Sequence, residues 1–189
     1  MIASMREPAE PDRGPFRDLV RPGLRALIVA INPSSRSADI GYSFSSPSNP
    51  FWRLLYESGL TPMRLEPSEE HRLLDCGLGL VSTVSRATPS AAGLSLAERR
   101  DGAKRVRGLV ERYVPNLVAL LGLTLYPLFF PANTSRGPGL KSERLYGAEI
   151  YVLPNPSGRN RAYPGFDAKL LWYRDLAEHL NSGTTAGTP

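Results

Sequence analysis

Ala26-Leu27-Ile28-Val29-Ala30-Ile31-Asn32-Pro33-Ser34 is the stretch on which the reading of the fold turns. Residues 26–30 are all apolar, follow Arg25 and run into a polar turn, which is the length and composition of a strand buried on both faces of a parallel sheet. Asn32 therefore stands where that strand ends. In open α/β sheets ligands bind outside the carboxyl ends of the strands, so an asparagine at this point is placed to direct its amide into a crevice. Pro33 fixes its own φ and disfavours helix at Asn32, which keeps the amide on a rigid turn. The alternative is an Asx-turn in which the amide bonds only its own backbone.

Working outward, residues 34–47 form a loop of small and polar residues interrupted by Tyr42 and Phe44. Asn49 and Pro50 supply the start of a short helix whose apolar face is Phe51, Trp52, Leu54 and Leu55, with Gly59 as its stop. Further strands are predicted at 78–84, 117–121 and 150–153, separated by a helix over 96–113 capped by Ser95 and a short helix from Thr124. A last amphipathic helix covers 166–180. This alternation predicts a single-domain three-layer α/β/α fold with a central, mostly parallel four-stranded sheet. The domain is expected over 19–180, with a loose arm at 1–18 and a loose tail at 181–189. All strand ends would open onto one edge, gathering Asn32, Ser85-Arg86, Gly122 and residues 155–161. Two Asn-Pro-Ser turns, 32–34 and 155–157, fall on that edge.

At 189 residues and 41% hydrophobic content the chain can bury one good core. Lys and Arg number 23 against 18 Asp and Glu, a formal charge of +5 that favours an acidic partner, nucleic acid being the commonest, over an acidic substrate pocket alone, while charge by itself leaves a mildly basic enzyme with no such partner equally open. The single cysteine, Cys76, and two histidines, His71 and His179, make no metal-ligand spacing, so neither metal nor cofactor is expected and a reducing compartment is. Charges and prolines stand where a secretory apolar region would be, and no run reaches a membrane-spanning length, so a cytoplasmic protein with no membrane partner is expected.

Ile31-Asn32-Pro33, Gly41-Tyr42-Ser43-Phe44, Pro47-Ser48-Asn49-Pro50-Phe51-Trp52 and Asn155-Pro156-Ser157-Gly158-Arg159-Asn160-Arg161 together resemble the mismatch-specific uracil/thymine DNA glycosylases, family 2 of the uracil-DNA glycosylase superfamily. The resemblance covers residues 24–180 in order and spacing. It departs from the family's Gly-Ile-Asn-Pro-Gly pattern at Ala30 and Ser34. What it implies is a monofunctional glycosylase of base excision repair acting on double-stranded DNA that contains uracil or a mismatched pyrimidine, above all a G:U pair, with single strands as a second substrate and a monomer as the working form. It further implies that Asn32 positions the attacking water and that Phe44 stacks on the flipped base. Ile31, Pro33, Tyr42, Asn49 and Asn155 would complete the pocket. Residues Ser157, Gly158, Arg159, Asn160 and Arg161 would fill the space the base leaves, with a guanidinium at Arg159 where relatives carry an apolar residue.

The chemistry suits those residue types. Extruding a base costs a few kcal/mol, and an aromatic platform recovers roughly 1–3 kcal/mol by stacking. Cleavage through an oxocarbenium-like transition state needs a positioned water and donors for the departing base more than a strong base. Asp75 is the nearest carboxylate in sequence and is kept as a catalytic candidate, although it precedes a strand rather than following one. Arg86 joins the DNA-contacting residues because it falls at the strand-end edge. Lys104, Lys141 and Lys169 read as surface positions, which leaves no Schiff-base nucleophile. Two other classes stay open: a nucleobase-recognising DNA-binding module without catalysis, and an α/β enzyme of small metabolites. Against the latter, no Gly-rich dinucleotide fingerprint follows the first strand.

Overall fold

The computed structural model describes residues 17–132, 136–158 and 160–182. The strands are β1 (Ala26–Ala30), β2 (Leu78–Ser82), β3 (Leu117–Leu121), β4 (Gly139–Leu145) and β5 (Ala148–Leu153). They form one sheet in the order β2-β1-β3-β5-β4, parallel throughout except for β4 against β5. The expected three-layer architecture is present, with five strands rather than four.

β1 is an interior strand, between β2 and β3, and both its faces are apolar. Ala26, Ile28 and Ala30 pack with Phe51, Leu54 and Leu55 of α2 (Phe51–Glu57) and with Leu170, Tyr173 and Leu176 of α5 (Asp167–Ser182). Leu27 and Val29 face the other way, onto Ala103, Val106 and Val110 of α3 (Leu96–Tyr113) and Tyr126 and Phe129 of α4 (Tyr126–Phe129). A period of two along the strand thus feeds two separate cores.

The extra strand, β4, escaped the sequence reading for a physical reason. It is an edge strand buried only at its ends, Gly139 and Leu145, between which partly buried Lys141 and Glu143 alternate with exposed Leu140, Ser142 and Arg144, so it carries no continuous apolar run. Tyr146 and Gly147, with φ of 50° and 88°, make the tight turn to β5 and bring both residues of a two-residue hairpin into the left-handed region. A second departure is α1 (Ser35–Ile40), a six-residue helix inside the expected loop. Ser34 caps it by accepting from the Ser37 amide, and Gly41 ends it at φ 85°. Only Ser37 is buried, so no apolar periodicity marks the helix. The segment Pro67–Cys76 winds as a 3₁₀ helix opened by a reciprocal Glu66–Glu69 cap.

At the β2 edge, Leu19 exchanges two backbone bonds with Leu80, and Asp18 pairs with Arg105 of α3, so residues 18 and 19 are tied to the sheet and to α3. α5 runs to Ser182, two residues past its expected end. The rest of the arm, 1–16, and of the tail, 183–189, lies outside the described residues. Lys169 is not a surface residue: it is 2% exposed, its ammonium turns back to the Gly165 carbonyl at 2.8 Å, and burial lowers its pKa. A side chain on the inner face of a helix points toward the helix amino end, which is why this lysine finds that carbonyl.

Candidate active site at the carboxyl edge of the sheet

Beyond the strands proper, the chain leaving β1 remains zipped to the chain leaving β2. The Thr83 amide donates to Ala30 O at 2.7 Å, Val84 to Ile31 O at 2.8 Å and Thr88 to Pro33 O at 3.2 Å. This extension holds Asn32 half-buried between the two segments. Its Nδ2 donates to Thr88 Oγ1 at 2.7 Å, Pro33 O at 3.0 Å and Arg86 O at 3.1 Å. Two of these acceptors are carbonyls, which cannot donate, so the atom facing them has to be the nitrogen. Thr88 agrees: its single hydroxyl proton goes to Ser90 O at 2.8 Å, leaving only lone pairs for Asn32. The amide is therefore locked in one orientation, with Oδ1 turned away from these partners and bonded to none of the described residues. A purely local Asx-turn does not describe it, because two of the three acceptors lie 54 and 56 residues along the chain.

Phe44 sits across the following loop with φ of 52°, a left-handed backbone that aromatic residues rarely adopt. Three contacts hold it there. Its ring stacks on Phe51 with centroids 3.9 Å apart and planes 25° apart. The preceding residue, Ser43, donates its amide to Glu70 Oε2 at 2.8 Å, and its carbonyl accepts from Trp52 Nε1 at 3.2 Å. A strained conformation persists where the surroundings overdetermine it, and here helix α2 and the 3₁₀ segment both contribute. One ring face is used by Phe51, and the residue remains partly exposed.

The last strand delivers the second Asn-Pro-Ser turn to the same edge. Asn155 Oδ1 accepts from the Ser157 amide at 2.9 Å, which leaves Nδ2 as the donor at the other end of the amide. Gly122, at the end of β3, lies against that side chain. Its φ of 114° is open only to glycine, and a Cβ there would stand 3.5 Å from Asn155 Nδ2. Asn160 closes the loop by donating from Nδ2 to Asn155 O at 3.1 Å and from its amide to Ser157 O at 3.1 Å. Gly158 is exposed, with nothing within 4 Å of where its Cβ would be, so the missing side chain leaves room toward the outside. Arg161 is exposed. Arg159 lies outside the described residues.

The other expected site residues divide. Ile31 and Pro33 flank Asn32, and their carbonyls serve the zipper. Tyr42 is 38% exposed beside Phe44. Asn49 Oδ1 accepts from the Phe51 amide at 3.0 Å, which makes its side chain a brace for the start of α2. Arg86 does not present a free guanidinium: Nε donates to Glu98 Oε1 at 2.8 Å and Nη2 to Gly93 O at 3.0 Å. That pairing, together with the Ser95 cap, holds the Glu98 carboxyl at about 2. Asp75 is not brought to the site. It is exposed at the end of the 3₁₀ segment, at the amino end of β2, while Asn32 follows the carboxyl end of β1, so the five paired residues between those ends keep them about 15 Å or more apart. Among the described residues no three His, Cys, Asp or Glu side chains come together as metal ligands, and no helix is long and apolar enough to cross a membrane.

Three contributors went unseen in the sequence: Thr88, the Glu70–Ser43–Trp52 clamp and Glu98. The signals were present but ordinary. Thr88 stands in the Ser85-Arg86-Ala87-Thr88-Pro89 run, in which charge drew attention to Arg86, and Glu98 reads as one half of a helix cap.

The model of the Uracil DNA glycosylase superfamily matches residues 17–177, which include every strand and all but the last turn of α5. The chain belongs to that superfamily. Membership makes it a DNA glycosylase in general terms, a hydrolase of DNA repair whose substrate is DNA, and the mostly parallel sheet with its loaded carboxyl edge is the uracil-DNA glycosylase-like fold.

Proposed function

We propose that this superfamily member is a monofunctional, monomeric glycosylase of the mismatch-specific uracil/thymine class, taking uracil out of duplex DNA, above all from G:U pairs, and hydrolysing its N-glycosidic bond. The observation that carries the reading is the fixed polarity of the Asn32 amide. An acceptor oxygen held still by three bonds to the opposite end of its own group can orient a water without having to deprotonate it. No carboxylate is needed for this role, and Asp75 takes no part. Bond breaking runs ahead of attack, the sugar gathers oxocarbenium character, and the water at Asn32 Oδ1 closes on the sugar carbon as the base leaves. Asn155 Nδ2 is the donor available for charge developing on a base carbonyl, and Gly122 leaves it the space to turn. Phe44 gives the extruded base a stacking face, and the loop 157–161 enters the stack behind it.

The decisive measurement is single-turnover excision from a duplex with one uracil opposite guanine, followed by alkaline strand scission. Asn32→Ala should bind that duplex as well as the parent and lose on the order of 10²- to 10⁴-fold in rate. Strand scission without alkali would point to a lyase, and binding without any excision by the parent chain to a recognition module.

A further inference from the structure

Arg86 stands at the catalytic edge, where a guanidinium is most simply read as a phosphate contact. Its partners say otherwise. Nε and Nη2 are spent on Glu98 and on Gly93 O, while the backbone carbonyl of the same residue is one of the acceptors that orient Asn32. Thr88, two residues on, is another. The short segment 86–88 thus supplies two of the three acceptors for the Asn32 amide, and its outer side is tied through the Arg86 side chain to the first turn of α3.

α3 is a suitable anchor because it cannot easily shift against the sheet. A Cβ on Gly102 would lie 2.2 Å from Thr83 O, so helix and strand end are in direct backbone contact, and Arg105 donates to Ser82 O. Glu98 in turn is immobilised by the reciprocal cap: Oε2 accepts from the Ser95 amide at 2.8 Å, and its own amide donates to Ser95 Oγ at 3.1 Å. One carboxylate therefore serves the cap with one oxygen and Arg86 with the other.

We propose that the Arg86–Glu98 pair is a positioning brace that sets the Asn32 amide, and that neither side chain contacts the DNA backbone. The proposal rests on the reading of Asn32 as the water-positioning residue. Both partners are solvent-accessible, with side chains 53% and 34% exposed, and such pairs contribute little to global stability. Losing the brace therefore acts on geometry at the reacting centre. A displacement approaching 1 Å there slows chemistry by on the order of 10- to 100-fold.

The test uses Arg86→Ala, Glu98→Gln and the double variant, with a G:U duplex for single-turnover excision at saturating enzyme and a duplex carrying non-cleavable 2′-fluorodeoxyuridine for binding across a salt series. Glu98→Gln keeps the helix cap, since glutamine serves in the same motif, so it guards against a loss of folding, which the thermal midpoint also reports. The brace predicts that each single variant is slowed by on the order of 10- to 100-fold, that the double is no slower than the slower single, and that affinity and its salt dependence stay those of the parent. Weaker binding with a shallower salt slope in Arg86→Ala, and parental excision by Glu98→Gln, would make Arg86 a phosphate contact and overturn the brace. Slow-downs that multiply in the double variant overturn it too. A parent chain that leaves uracil in place, or an Asn32→Ala variant that excises normally, overturns the underlying reading and the brace with it; normal parental excision with unslowed brace variants overturns the brace alone.

Discussion

Asn32→Asp is the substitution that interrogates the polarity of the site most directly. It is nearly isosteric, but the atom that faced Pro33 O, Arg86 O and Thr88 Oγ1 changes from a donor to a carboxylate oxygen. At neutral pH that oxygen meets two carbonyls and a hydroxyl whose proton is committed to Ser90 O. Lost donors to partly buried acceptors cost about 1–3 kcal/mol each, less what reorientation recovers, so a loss of about 3 kcal/mol in unfolding free energy is expected at pH 7. Protonation restores one donor. The new carboxyl therefore has a folded-state pKa above its unfolded value of about 3.9, so its stability contribution is fully present below that value and is lost as pH rises through the folded one. Urea unfolding followed by tryptophan fluorescence, for variant and parent between pH 4 and 8, should show a deficit that is small at the acid end and grows toward neutrality. A pH-independent deficit, or none, would refute the reasoning, because it would mean that Nδ2 is not the atom held by the two carbonyls.

Three further outcomes follow from the same geometry. Phe44→Ala should slow uracil excision by about 1–3 kcal/mol of lost stacking, on the order of 10- to 100-fold, without abolishing binding to undamaged duplex; an unaltered rate in the same single-turnover assay would place the base elsewhere. Glu149, whose carboxyl is held below the usual range first by its bond to His179 Nε2 at 2.6 Å and also by Arg144, contributes stability that is present above about pH 4.3 and lost as pH falls through its lowered value. Glu149→Gln should thus lower the urea midpoint at pH 6 and converge on the parent in acid, and parallel midpoints over that range would contradict the assignment. Arg159→Ala should slow excision from paired duplex more than from single strands, where no stack has to be refilled; equal slowing of both would make Arg159 a phosphate clamp.

How legible each feature was depended on whether its cause is local. The buried run at 26–30 and the cap at Ser95 were readable because burial and capping act within a few residues, whereas the cap position of α2 falls on Pro50, one residue after the expected Asn49, whose side chain accepts from the Phe51 amide instead. β4 was not, since an edge strand buries one face and its alternation of polar residues looks like loop. The partners of Arg86 were not legible either: its charge is written in the sequence, but Glu98 and Gly93 reach it only because the segment after β2 folds back on α3. Lys169 looked exposed because a charged residue on an amphipathic helix usually is, and the Gly165 carbonyl that receives it belongs to a turn with no periodic trace.

By itself the amino-acid sequence determined the sheet's four apolar strands, their parallel succession and the residues that stand at the strand ends, because removing apolar side chains from water imposes a period that each segment carries within itself. Which way the Asn32 amide points was decided only by tertiary structure. A carboxamide has nearly identical ends, and what distinguishes them is the acceptors they meet, here contributed by Arg86 and Thr88 from across the sheet edge. Closure of the parallel β1–β2 pair brought those acceptors within bonding distance, and no pattern local to Asn32 encodes their arrival.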